Sequence, residues 1–126
     1  LIAFADNSVD YGQTSPMTLD PNVLHLHFQQ FSGRQNQSGS YANAASAARG
    51  CHAFAFGRLL HLLQDTYAHD DCDNQTGHVR QSTLWLFGFG QDPDQYSFAS
   101  ARDTGMRLAT VQLLRLFQSS CPGGAF

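Results

Sequence analysis

Apolar residues recur with helical spacing in a long stretch of the chain from Tyr41 to about His69. An apolar face at that spacing, with the Ala-rich composition around it, predicts helix. The stretch forms either one long helix or two helices that meet near Gly50. Four large apolar residues in it are available to a hydrophobic core: Phe54, Leu59, Leu62 and Leu63.

A second helical pattern runs from Tyr96 to Gln118, after a helix start at DPDQ and before CPGGAF closes the chain. Its recurring apolar residues are Phe98, Met106, Leu108, Leu113, Leu114 and Phe117. No stretch alternates apolar and polar residues for long, so any sheet is small. The pattern predicts an all-α fold, a compact helical domain with a long central helix.

The segments between the helical patterns are rich in residues that favour turns. YGQTSPMTLDPN (Tyr11 to Asn22) and FSGRQNQSGS (Phe31 to Ser40) are predicted to be loops, and DDCDNQTG breaks the first pattern. HVRQSTLWLFGFG fits either a short helix or an apolar loop. No repeat is visible, and 126 residues predict a single domain over 1–126.

Composition narrows the class of protein. Apolar residues make up 42% of the chain and charged residues 13%, which indicates a globular protein. The formal net charge of −3, without an Arg cluster, disfavours a surface that binds nucleic acid mainly through phosphates. No apolar run approaches the ~20 residues of a transmembrane segment. Because the chain starts without Met, we expect either a processed product or a domain excised from a longer secreted polypeptide.

The three cysteines, Cys51, Cys72 and Cys121, cannot all pair within one molecule, and none belongs to a CxxC motif. A Cys72–Cys121 disulfide is one interpretation, since both residues sit in loop-like sequence. Free buried thiols are the other interpretation, and the sequence favours it.

A stripe of polar residues interrupts the apolar face of the first pattern. His61, Asp65 and His69 are spaced by four, an offset of about 40° around a helix and about 6 Å along it. The three side chains therefore share one face. His52 falls on the far side, where we expect an ordinary hydrogen-bonded histidine. Further donors lie elsewhere in the sequence: Asp6, Asp10, His25, His27 and His78.

These donors are the ligand types of zinc sites that keep an open coordination position, whereas thiolate-rich shells are typical of structural sites. All ten acidic residues are Asp, so any carboxylate chemistry falls to Asp. No GxSxG motif is present, which disfavours a Ser-His-Asp hydrolase. The donor set therefore predicts a catalytic metal site.

The segment FGRLLHLLQDTYAH, preceded by an Asp and a His-Phe pair and followed by GHV, resembles the zinc-dependent phospholipase C and single-strand nuclease superfamily. Members have an all-helical fold with up to three zinc ions that hydrolyse phosphate esters. The resemblance covers about Ala3 to Val79 and implies two zinc ions here. One would be bound by Asp10, His27, His61 and Asp65.

In the same resemblance, Asp65 bridges toward the second zinc, which His69 and His78 would bind. Ser82 stands where better-known members have a Glu ligand. A nearby acid or a water would replace that ligand. The candidates are Asp70, Asp71, Asp73, Asp92 and Asp94.

The leading hypothesis is a zinc-dependent phosphoric-diester hydrolase with phospholipase C-like activity. Zinc would lower the pKa of a water toward about 7 for attack on phosphorus, and Asp10 or Asp65 would orient that water and accept its proton. The weakly acidic charge and the apolar LWLFGFG segment favour a phospholipid substrate and transient contact with a membrane surface.

Four aromatic residues are candidates for an apolar wall or a base-stacking platform: Phe56, Trp85, Phe87 and Phe89. Simple core packing is the favoured alternative. Two other functions stay open. One is a metal-dependent nuclease toxin or effector domain of the same fold, with a parent polypeptide or inhibitor protein as partner. The other is a non-catalytic helical module that zinc stabilises.

Overall fold

The computed structural model describes residues 1–8, 33–68, 86–88 and 101–123. These residues form four helices and contain no strand, which confirms the predicted all-α fold. In chain order the helices are α1 (Ile2–Asn7), α2 (Gly33–Arg49), α3 (Ala53–Ala68) and α4 (Ala101–Ser120). Helix α3 packs against each of the other three, and α2 also packs against α4. The helix that carries His61 and Asp65 is therefore at the centre of the described helices.

The break between α2 and α3 lies at Gly50 to His52, so the alternative of two helices is correct. The turn closes with backbone hydrogen bonds in which Gly50 N–H donates to Ser46 O (3.0 Å) and His52 N–H donates to Ala47 O (3.1 Å). Cys51 adopts the left-handed conformation with φ 58°, the usual way in which a helix ends and the chain changes direction.

The prediction of a loop from Phe31 to Ser40 is wrong for residues 33–40, which form the first turns of α2. Glycine and serine have low helix propensity, but packing routinely overrides propensity. Ser40 and Ala44 are buried at 1% and 0% exposure, and Gln37 Nε2 donates to Thr66 O of α3 at 3.2 Å. Contact with α3 therefore stabilises a start that the composition alone does not indicate.

The core lies where α2, α3 and α4 meet. Alanines of α2 face larger residues of α3 and α4, and the rings of Phe56 and Phe117 stack with centroids 5.1 Å apart and 13° between their planes. Both rings are buried, as are Leu63 and Leu113. Small residues on one helix allow the backbones to approach, while stacked rings add favourable contact beyond their buried area.

Two residues predicted for the core are exposed: Phe54 at 44% and Leu108 at 59%. On α3 the buried stripe contains Phe56, Leu60 and Leu63, and two residues of a helix correspond to about 200° of rotation. Phe54 therefore points away from the core. Leu108 is one residue, or about 100° of rotation, from Ala109 in the buried stripe of α4 and is also exposed. The predicted burial of Leu62, Leu63, Leu113 and Phe117 is confirmed.

Cys121 forms a disulfide with Cys51, across a sequence separation of 70 residues and a Cα–Cα distance of 5.6 Å. The prediction of a Cys72–Cys121 pair is therefore wrong, and so is that of free thiols for these two residues. Cys72 lies outside the described residues. The bond joins the α2–α3 turn to the residue that follows α4, because both lie at the same end of the bundle.

None of the helices in the described ranges is long and apolar enough to span a bilayer. This agrees with the prediction of no transmembrane segment.

Helix α4 makes polar side-chain contacts, one with α3 and one within the helix itself. Gln64 Nε2 donates to Thr110 Oγ1 at 3.3 Å, and Arg107 Nε donates to the buried Asp103 carboxylate at 2.9 Å.

Candidate functional site

Two of the six predicted metal ligands lie in the described part of the chain. His61 and Asp65 are on α3, and His61 Nε2 is 3.5 Å from Asp65 Oδ2. The ring is buried and the carboxylate is partly exposed. The other four predicted ligands lie outside the described residues: Asp10, His27, His69 and His78.

A second carboxylate faces the other side of the same imidazole. Asp6, on α1, places Oδ1 at 3.7 Å from His61 Nδ1. Both of these separations are longer than an ordinary hydrogen bond, but they are well within the range of a charge interaction. The His61 ring therefore sits between a carboxylate from its own helix and one from a helix 55 residues earlier in the chain.

The approach of α1 to α3 depends on Gly57. A methyl group on Gly57 would lie 2.7 Å from Ala5 Cβ and 3.1 Å from Asp6 N, and it would also collide with Ile2 O. Glycine inside a helix costs about 1 kcal/mol relative to alanine, and the close contact explains its use here. Gly57, His61 and Asp65 follow one another at a spacing of four, so α1 docks at the start of the polar stripe.

We expect a Gly57→Ala variant to be less stable and to displace α1 from His61. The collision costs about 1–3 kcal/mol, and the better helix propensity of alanine offsets about 1 kcal/mol of that. Ile2 O and Asp6 N are backbone atoms that cannot rotate away, so the collision should cost about 2–3 kcal/mol, the upper part of that range, and the net loss should be about 1–2 kcal/mol. Thermal and denaturant unfolding measure it.

Gly39→Ala is the matched control for that variant. Gly39 is in α2, and a methyl group there would meet nothing within 4 Å. This variant should gain up to about 1 kcal/mol from helix propensity alone. If Gly57→Ala were as stable as Gly39→Ala, α1 would not be seated as described.

The donor set of the pair on α3 fits zinc. Two ligand atoms on a tetrahedral zinc, with bonds of about 2.0–2.2 Å, lie roughly 3.3–3.6 Å apart. The separation of 3.5 Å between His61 Nε2 and Asp65 Oδ2 matches that value. Asp6 faces the opposite ring nitrogen, Nδ1. It would therefore lie outside the coordination shell of a metal bound at Nε2.

Within the described ranges, no group of three or more His, Cys, Asp or Glu residues is arranged to hold a metal ion. The pair on α3 would supply two ligands, so the rest of a zinc shell would have to come from residues outside those ranges. The convergence of Asp10 and His27 on His61 therefore stays a prediction.

The structure shows whether some of the remaining candidate residues are buried or exposed. Phe56 is fully buried against Phe117, so core packing is correct for it, and it is not part of a substrate wall. Phe87 is exposed at 76%. Trp85 and Phe89 lie outside the described residues. His52 does not belong to the stripe, but it lies exposed in the turn before α3 and not on the far side of the helix as predicted.

Asp6 is the site residue that the sequence pattern did not single out. It is only one of several donors in the sequence, and α1, at six residues, is too short to show a period. The available signal is Gly57, one turn before His61. A glycine inside a strongly helical segment often marks the close approach of another backbone.

In comparisons with known proteins, no family model matches the chain, and no curated protein or solved structure is significantly similar to it. The residues and the geometry of the site are therefore the observations from which a function can be inferred.

Proposed function

We propose that the protein is a zinc-dependent phosphoric-diester hydrolase with phospholipase C-like activity that binds two zinc ions. The observation that supports this most strongly is the pair of His61 Nε2 and Asp65 Oδ2, held 3.5 Å apart on the central helix. Both side chains belong to the HLLQD segment that resembles zinc-dependent phospholipases. The proposal assigns the remaining ligands to Asp10, His27, His69 and His78.

Each residue of the pair has a distinct role in the proposed reaction. When bound, zinc supplies positive charge to the phosphoryl oxygens and makes a water nucleophilic near neutral pH. Asp65 is only partly buried, so its carboxylate can reach the attacking water, orient it and accept its proton. His61 would bind the metal through its ring nitrogen. It is buried beside Asp65, and the lower local dielectric strengthens its interactions with nearby charges. Asp10 is the alternative proton acceptor in the proposal.

A phospholipid substrate is favoured over a nucleic acid by the surface near the apolar LWLFGFG segment. Leu86 and Phe87 are exposed at 75% and 76%. Adjacent exposed apolar side chains are suited to transient contact with a lipid interface, and the net charge of −3 disfavours nonspecific binding of a polyanion. A nuclease toxin or effector domain of the same fold is the alternative that the experiment separates.

A secreted or extracellular location is part of the proposal. Disulfides persist mainly in oxidising compartments outside the cytosol, and the Cys51–Cys121 bond joins two helix ends of the domain. A parent polypeptide or an inhibitor protein is the partner that this location would involve.

The test combines metal analysis with three assays on the purified protein. We expect about two zinc ions per chain and hydrolysis of phosphatidylcholine vesicles and of a small soluble phosphodiester, lost with a chelator and restored by zinc. About one zinc without hydrolysis would support a structural module. Cleavage of a single-stranded oligonucleotide alone would support the nuclease. A protein that binds no zinc would contradict all three.

A further inference from the structure

Asp6 and Asp65 approach opposite nitrogens of one buried imidazole. Asp65 Oδ2 faces His61 Nε2 at 3.5 Å, and Asp6 Oδ1 faces Nδ1 at 3.7 Å. A neutral imidazole has one N–H donor and one acceptor nitrogen, and the hydrogen bond at one nitrogen fixes the role of the other. An imidazole that binds a metal is neutral, so in that state the two carboxylates cannot both accept a hydrogen bond from it.

We propose that Asp6 is a positioning residue: it accepts the His61 Nδ1–H and so directs the Nε2 lone pair toward the metal beside Asp65. This inference rests on the proposed zinc function. Histidine ligands of metals usually donate their second N–H to a carboxylate or carbonyl, which fixes the ring and makes the ligand more basic. The geometry around His61 supplies such a carboxylate from a different helix.

The opposite assignment, with the metal on Nδ1 beside Asp6, is less favoured by the site. The Nε2 atom lies beside Asp65 on the same helix, so a metal at Nε2 can take both side chains of the pair, whereas a metal at Nδ1 would lose Asp65. A shift of about 0.8 Å would shorten the Asp6 contact of 3.7 Å to a charge-assisted hydrogen bond. Asp6 can accept this hydrogen bond without binding the metal itself.

Helix α1 holds Asp6 in place. Ile2 and Ala5 are buried at 4% and 0% exposure, and the Ser8 hydroxyl donates to Ala5 O at 2.8 Å. The absent side chain of Gly57 lets this helix lie against α3 one turn before His61. The carboxylate is thus presented by packed backbone, as precise positioning of a ligand requires.

The test compares zinc affinity in four full-length proteins: wild type, Asp6→Asn, Asp6→Glu and Phe4→Ala. Asp6→Asn should bind zinc about 10–100-fold more weakly, the usual effect of removing a carboxylate that orients a metal-bound histidine. Asp6→Glu keeps the charge on a longer arm and should recover part of the affinity. Phe4→Ala changes an exposed residue of the same helix and should bind zinc like the wild type.

A nuclear magnetic resonance measurement separates positioning from simple support of the fold. In the zinc-loaded wild type, the His61 Nδ1–H proton should be shifted downfield and slow to exchange, because it is bonded to a carboxylate. In Asp6→Asn, whose amide oxygen is a weaker acceptor than a carboxylate, that signal should move upfield and exchange faster. The zinc-free unfolding temperature should stay close to that of the wild type. The His61 resonance is assigned by its absence in His61→Gln.

The outcomes separate this proposal from the proposed function. A wild-type protein that binds no zinc overturns both. Zinc binding and hydrolysis in the wild type, with unchanged affinity and an unchanged Nδ1–H signal in Asp6→Asn, overturn only the role of Asp6. A loss in Asp6→Asn as complete as in Asp65→Asn would make Asp6 a direct ligand and also overturn it. Equal affinities of Asp6→Asn and Asp6→Glu would contradict a role for the charge.

Discussion

An Asp65→Asn variant should lose nearly all phosphodiester hydrolysis and most of its zinc affinity. The amide keeps the shape of the carboxylate but removes the charge that binds the metal and the group that accepts the proton of water. The loss should exceed the roughly 10–100-fold effect of altering a residue outside the coordination shell. Isothermal titration with zinc and turnover of a soluble phosphodiester measure the two losses separately.

His52→Ala is the control for that experiment. His52 is exposed in the turn between α2 and α3, so the variant should keep zinc binding and turnover within about twofold, as surface changes away from a site usually do. Equal losses in the two variants would mean that the active face of α3 has been assigned wrongly. Full activity in Asp65→Asn would remove Asp65 from the reaction.

A variant without the Cys51–Cys121 disulfide should be markedly less stable. A closed loop with a separation of 70 residues restricts the unfolded chain by about 4 kcal/mol in the loop-entropy treatment. For a domain of this size we expect the unfolding temperature of Cys51→Ser/Cys121→Ser to fall by roughly 10–20 °C. Scanning calorimetry under oxidising conditions measures the difference.

Cys72→Ser tests the pairing itself. With Cys121 bonded to Cys51, this single change should leave the unfolding temperature and the protected cysteine pair unchanged. Peptide mapping without reductant would then recover one linked pair. A large drop in stability for Cys72→Ser, with Cys51 recovered as a free thiol, would show that a different pair forms.

The helices, and the residues that share a helix face, could be predicted from patterns among residues close in the sequence. His61 and Asp65 lie on one face because their spacing of four is close to one turn of an α-helix. The same periodicity marks α3 and most of α4. It fails at the start of α2, where the burial of Ser40 and the hydrogen bond from Gln37 to Thr66 O of α3 matter more than propensity.

Contacts between distant segments could not be predicted in the same way. Asp6 reaches His61 across 55 residues, and only the docking of α1 at Gly57 brings them together. Spacing alone cannot choose a partner for Cys121 among three cysteines, because pairing depends on which helix ends meet. The candidate ligands could thus be named from the sequence, whereas the position of the Asp6 carboxylate beside His61 depends on the packing of α1.

The disulfide also divides the chain into a covalent ring and two open tails, a long one at the amino end and a short one at the carboxyl end. The ring closes at Cys51 and Cys121 and includes α3 and α4, whereas α1 and α2 belong to the amino-terminal tail. A mechanical pull on the two chain ends would leave the ring closed and withhold about 240 Å of contour length from extension, at ~3.4 Å for each of the 70 residue steps. Asp6 lies in the amino-terminal tail, and His61 and Asp65 lie in the ring. Tension would therefore separate Asp6 from the imidazole while the ring still joins α3 covalently to the end of α4.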